Sequence, residues 1–125
     1  MVSGIRSYRK VQSETASRER TLVLLFEAAQ RFIQGGATSL EQNAQPQASQ
    51  QLGKASDIVI ELMNTLDKSK APELCATLEQ VYEFVAIELT RAMATRKPEH
   101  ARNAERAFAP LVEAFQQAVA QVLAA

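Results

Sequence analysis

The 125-residue chain has one cysteine, one histidine, no tryptophan, and fourteen acidic side chains against fourteen basic ones. Each shortage excludes a class of function. A lone thiol, Cys75, closes no internal disulfide and supplies no cysteine finger or redox pair, so a cytoplasmic protein is expected. With His100 as the sole imidazole, neither a Ser-His-Asp triad nor a histidine zinc site is credible, and no Glu-x-x-His pair of a di-iron bundle occurs. Zero formal net charge gives no field to gather nucleic acid. The longest apolar run, Leu22 to Phe26, falls far short of the roughly 20 residues that span a bilayer, so no membrane insertion is expected. Arg6, Arg9 and Lys10 have no apolar stretch behind them, which argues against a secretory signal. Gly35-Gly36 lacks the preceding strand and following Lys-Ser/Thr of a phosphate-cradling loop.

What is abundant is Ala, Gln, Glu and Leu, a helical composition in a chain of single-domain size. Residues 1–17 are polar and basic, with isolated apolar positions at Ile5, Tyr8 and Val11, and read as a tail. Ser17 is a plausible N-cap, so the first helix is expected from about Arg18, with Leu22, Leu25, Phe26, Ala29, Ile33, Gly36 and Leu40 inward. Gly35-Gly36 either ends that helix or marks a close approach by another backbone. The Gln-rich stretch Glu41 to Gln51 reads as a connection. A second helix carries Leu52, Ala55, Val59, Leu62 and Leu66 inward.

Pro72 and Pro98 suit the first turns of a third and fourth helix. The third has the seam Leu74, Leu78, Val81, Val85, Leu89 and Ala92. The fourth has Ala104, Phe108, Leu111, Phe115, Ala118 and Val122, with Pro110 expected to bend it without breaking it. The fold class that follows is all-α: an antiparallel up-down-up-down four-helix bundle over residues 18–125, preceded by a short N-terminal tail segment.

No reacting group stands out. His100 at the start of the fourth helix reads as solvated rather than as the acceptor of a histidine phosphotransfer domain. Cys75 reads as core filler, and Glu73, Glu79, Glu83 and Glu88 as a solvated face. The surplus is apolar. Ile58 and Ile60 lie about 100° to either side of Val59, and Phe84 and Ile87 lie well off the seam of the third helix. Two readings stand side by side: a wide core with scattered exposed residues, normal for globular proteins, or a groove for a partner's amphipathic helix, as in a generic adaptor.

The run from Tyr8 through Arg9, Lys10, Val11, Gln12, Ser13, Glu14, Thr15 and Ala16 to Ser17 is followed by Leu22 and then Leu25-Phe26-Glu27-Ala28-Ala29. It resembles the opening of the flagellar export chaperone family FliS, where a Tyr-led tail and a Thr-Ala-Ser cap precede a Leu-Tyr-Asp/Glu-Gly-Ala stretch. Lys54-Ala55, Ile58-Val59, Glu61-Leu62 and Leu66-Asp67 are similar to the family's second helix, and Leu78, Val81-Tyr82-Glu83-Phe84, Leu89 and Ala92 to its third. Leu111-Val112-Glu113-Ala114-Phe115 stands where the family usually has Leu-Arg-Glu-Ala-Trp. Phe26, Ala28, Val81 and Phe115 depart from the usual Tyr, Gly, Leu and Trp.

The resemblance implies a cytoplasmic chaperone without catalysis or cofactor. Its expected cargo is the disordered C-terminal segment of flagellin, kept from polymerising early and handed to the export apparatus, whose gate components are further expected partners. The residues expected to meet cargo are Tyr8, Val11, Phe26, Ile58, Ile60, Tyr82, Phe84 and Ile87. The tail, through Ile5, Tyr8 and Val11, is expected to act as a lid over a groove containing Phe26 or Tyr82.

Overall fold

The computed structural model describes the backbone of residues 2–124 and the side chains of residues 17–121. Four helices follow one another: α1 (Val2–Glu41), α2 (Gln45–Asn64), α3 (Pro72–Thr95) and α4 (Pro98–Ala124). Each packs on its neighbours in chain order, and α4 closes on α1, which makes an antiparallel up-down-up-down bundle.

Helix α1 differs from the expected start. It runs unbroken from Val2, so Ser17 lies inside a helix and does not cap one. The Ser17 carbonyl accepts the Thr21 hydroxyl at 2.9 Å, a bond made within a helix already under way. Alanine, Gln, Arg and Glu around Ser17 all favour continuation, and no Gly or Pro falls between Ile5 and Gln34 to stop it.

The first turn between helices is tighter than the Gln-rich stretch suggests. Asn43 takes a left-handed conformation (φ 57°), Ala44 N–H donates to the Ser39 carbonyl at 2.8 Å, and Asn43 N–H to Leu40 at 3.1 Å. That pair of bonds is a Schellman ending, where Asn is the best non-glycine occupant. Pro46 then opens α2, so most of the glutamines belong to helix rather than connection. Arg96 (φ 62°) ends α3, and Pro98 starts α4 at once. Helix α4 continues through Pro110, which sits on its exposed side.

Gly35-Gly36 marks an approach, not an end. A Cβ on Gly36 would lie 2.4 Å from Leu52 Cδ2, so α1 and α2 meet where only hydrogen fits. The Lys54 ammonium stands 5.5 Å from the Phe32 ring on the flank of this contact. At the opposite corner Arg102 of α4 binds Glu41 and donates to Glu105 at 3.0 Å, and these carboxylates, Glu41 foremost, hold its guanidinium above its ordinary pKa.

The inward stripe of α3 is Cys75, Leu78, Tyr82, Val85, Leu89 and Ala92, shifted at two positions from expectation. Leu74 is 59% exposed and Val81 only half-buried. Steps of three and four fit either set in so broadly apolar a helix. The Cys75 thiol, 3.3 Å from the Asp67 carbonyl and covered by the α2–α3 loop, anchors the stripe that is seen. In α4 the stripe is Ala101, Ala104, Phe108, Val112 and Val119, with Leu111 and Phe115 half-buried and Ala118 exposed. The Val122 side chain lies outside the described residues. Leu66 lies past the end of α2 yet still packs on the core.

Gly35, Gly36 and Gly53 separate packing from propensity. Gly36→Ala is expected to destabilise by about 1–3 kcal/mol through overpacking against Leu52. Gly53→Ala, where nothing lies within 4 Å, should stabilise by about 0.5–1 kcal/mol through helix propensity alone. Gly35→Ala should fall between them, because the Gln51 amide it meets can swing aside. Denaturant midpoints of the three variants check the order.

Burial raises the Tyr82 phenol to about 12. The unfolded chain releases this proton near pH 10 and the folded chain near 12, so the contribution is complete below pH 10 and lost as pH rises through that window. Wild type should therefore lose up to roughly 2 kcal/mol more than Tyr82→Phe across it, read as diverging melting temperatures.

Candidate functional site

Of the eight residues expected to meet cargo, the six whose side chains are described do not converge on one groove. Phe26 and Tyr82 are core residues, 0% and 2% exposed. Phe26 stacks on Phe115 with ring centroids 4.2 Å apart, on Phe108 at 5.6 Å, and leans against Tyr82 at 6.5 Å. This corrects the expectation that the two rings line an open groove: the aromatic faces are used up on one another. Ile58 is half-buried and packs on the same core. Ile60, Phe84 and Ile87 are exposed to 48%, 45% and 50%, as the periodicity of α2 and α3 implies. The side chains of Tyr8 and Val11 lie outside the described residues; their backbone is part of α1.

The exposed apolar residues occupy the outer sides of the neighbouring helices α2 and α3. Ile60 stands one residue beyond the inward Val59, on a flank that also carries Ser49, Gly53 and Ser56 by helical spacing. Ile87 borders a shallow hollow of about 380 Å³ lined also by Ala86, Thr90 and Arg91. Leu24 and Leu74, which the sequence reading did not single out as surface, are exposed as well. A second apolar region lies around Leu22. One cleft of about 280 Å³ separates α1 from the end of α2 at Thr65, and another of about 170 Å³ separates α1 from Phe115, Ala118 and Val119 of α4.

The polar groups are structural in their geometry. Glu88, expected on a solvated face, is buried at 5% exposure. Its Oε1 accepts from Arg91 at 3.3 Å, and its Oε2 lies 2.7 Å from His100 Nδ1, which must donate because a carboxylate only accepts. His100 is therefore not a free helix-start residue: it joins α4 to α3, and that carboxylate occupies the nitrogen. Periodicity could have placed Glu88 next to the buried Leu89 and Val85, but not its partner twelve residues on. Asp67 accepts from the Ser69 hydroxyl and N–H in the α2–α3 loop, and these bonds hold its carboxyl below its ordinary pKa. Among the described residues no three His, Cys, Asp or Glu side chains gather as a metal site, and no helix is long and apolar enough to cross a membrane.

The site is thus a four-helix bundle whose polar contacts join its own corners and whose surplus is exposed apolar surface. The family profile of the flagellar protein FliS matches residues 1–122. The chain is 31% identical over 104 residues to the flagellar secretion chaperone FliS of Vibrio cholerae serotype O1, a match covering 79% of this chain and 76% of that one. The chain belongs to the FliS family, a family of chaperones and not of enzymes.

Exposure and burial separate the aromatic residues by experiment. Phe84→Ala should cost less than about 1 kcal/mol of stability, whereas Phe108→Ala should cost about 3–5 kcal/mol. A loss at Phe84 comparable to that at Phe108 would return Phe84 to the core.

Proposed function

We propose that this chain is a cytoplasmic flagellar export chaperone that binds the C-terminal segment of flagellin, prevents its early polymerisation and delivers it to the export apparatus. The observation that carries the reading is the exposed apolar set Ile60, Phe84 and Ile87 on a bundle of this family. A segment that folds on binding would lay its apolar face on these helices and lose the surface it needs for filament contacts. The ordering cost of that folding keeps the complex releasable. Export-gate components are the next partners in that sequence of events.

Residues 1–17, with Tyr8 and Val11, complete the proposal as a lid that competes with cargo. Because these residues continue α1, reaching the binding surface requires the helix to break near Ser17, and the docked segment is then held mainly by what its apolar side chains touch. When it covers the binding surface it scales apparent affinity down by the fraction of uncovered chaperone.

Co-expression with flagellin tests the reading. Full-length flagellin should co-purify with the chain, and flagellin truncated at its C-terminus should not; equal retention of both sinks the chaperone assignment. In the same assay, deleting residues 1–13 should speed or tighten cargo capture, and unchanged association would leave the segment without a lid role.

A further inference from the structure

The cleft between α1 and α4 is apolar with one exception. Leu22, Phe115, Ala118 and Val119 wall about 170 Å³ of space, and Glu19 stands at its edge. The Glu19 Oε2 is buried and has no hydrogen-bond partner among the described residues, the one side-chain polar atom there in that condition. Glu88 is the contrast. It lies deeper, yet both its oxygens are occupied, one by Arg91 and one by His100. The basic neighbours Arg18 and Arg20 are exposed, each about 100° round the helix from Glu19, and neither bonds it. A carboxylate oxygen withdrawn from water beside apolar walls, with no donor, is an unfavourable arrangement that a cationic donor reverses.

We propose that this cleft receives one lysine or arginine side chain of the bound cargo, its methylene stem along Leu22, Phe115 and Val119 and its cationic head on Glu19 Oε2. The proposal rests on the chaperone reading above and adds to it a chemical requirement on the cargo. The walls favour a long aliphatic stem, which serine and threonine lack, and the carboxylate favours a charged head over a neutral hydroxyl. Leu22 is also a wall of the neighbouring cleft between α1 and Thr65. An apolar segment crossing α1 at Leu22 would therefore place one side chain on each side of it.

The pocket is tested without cargo by titrating the protein with n-pentylguanidinium and, separately, with n-pentanol, while following the Leu22 and Val119 methyl signals by NMR. The cation should bind about tenfold more tightly than the alcohol, the order expected of a charge-assisted hydrogen bond shielded from water. Glu19→Gln should erase that preference with the helical signal unchanged and the melting temperature equal or higher, since it removes an unpaired buried carboxylate. Equal responses to the two probes, or a preference that survives in Glu19→Gln, overturns the pocket.

With cargo, each Lys and Arg of flagellin's C-terminal segment is changed in turn to Met, which keeps a stem and removes the charge. One variant should lose about tenfold in affinity for wild type and nothing for Glu19→Gln. If flagellin binds and no such variant couples to Glu19, this inference fails while the chaperone reading stands. If flagellin does not bind at all, the chaperone reading fails, and the small-cation titration still decides the pocket.

Discussion

The bundle is organised around Phe26. From the middle of α1 its ring reaches Tyr82 on α3 and both Phe108 and Phe115 on α4, so one side chain joins three helices through aromatic contact. The fourth helix is brought in by the opposite device. Gly36 has no side chain, and Leu52 of α2 occupies the space a Cβ would take. A large residue at one level and none at another fix the separations of α1 from its neighbours. Close packing then grades the remaining apolar side chains from fully inside, through a half-buried layer that includes Ile58 and Leu111, to the outer flanks.

Surface chemistry follows from that division. Because Phe26 and Tyr82 are consumed by the core, the apolar surface is supplied by Ile60, Phe84 and Ile87 on the outer sides of α2 and α3. A further part lies at the end of the bundle around Leu22, where α2 has stopped and α1 and α4 run on. Such surface is costly to leave in water and useless for reaction chemistry. Under the proposed function it is the surface that would cover an apolar segment of another chain. Glu19 places a carboxylate at the edge of one of these regions.

The corners of the bundle use a separate vocabulary. Asn43 and Arg96 supply left-handed residues that end α1 and α3, while Pro46, Pro72 and Pro98 open the helices that follow. Glu88, buried against His100 and Arg91, then locks the α3–α4 corner from inside. A buried carboxylate with one partner removed is far worse than none, so the three residues act as a unit whose value is geometric. The lone histidine of the chain is thereby accounted for without chemistry.

The sequence by itself determined that the chain is all-helical, that its helices number four, and where two of them begin. Apolar spacing of three and four, together with proline at a helix start, are local signals that depend on no distant contact. It also carried the short motifs by which the FliS family is recognised, and it marked Ile60, Phe84 and Ile87 as lying off the seams, although Ile58, equally far from Val59, is half-buried on the core. Tertiary structure decided the rest. In helices as broadly apolar as α3, two registers satisfy the same pattern, and only packing against α2 and α4 selected Tyr82 over Val81 and turned Leu74 to solvent. Only the meeting of α3 with α4 gave Glu88 a partner. Only the way Phe115 and Val119 stand against α1 left Glu19 Oε2 without one among the described residues. The physical reason is the same in each case: helical period reports direction around one axis, while burial and pairing depend on what a second axis brings to that direction.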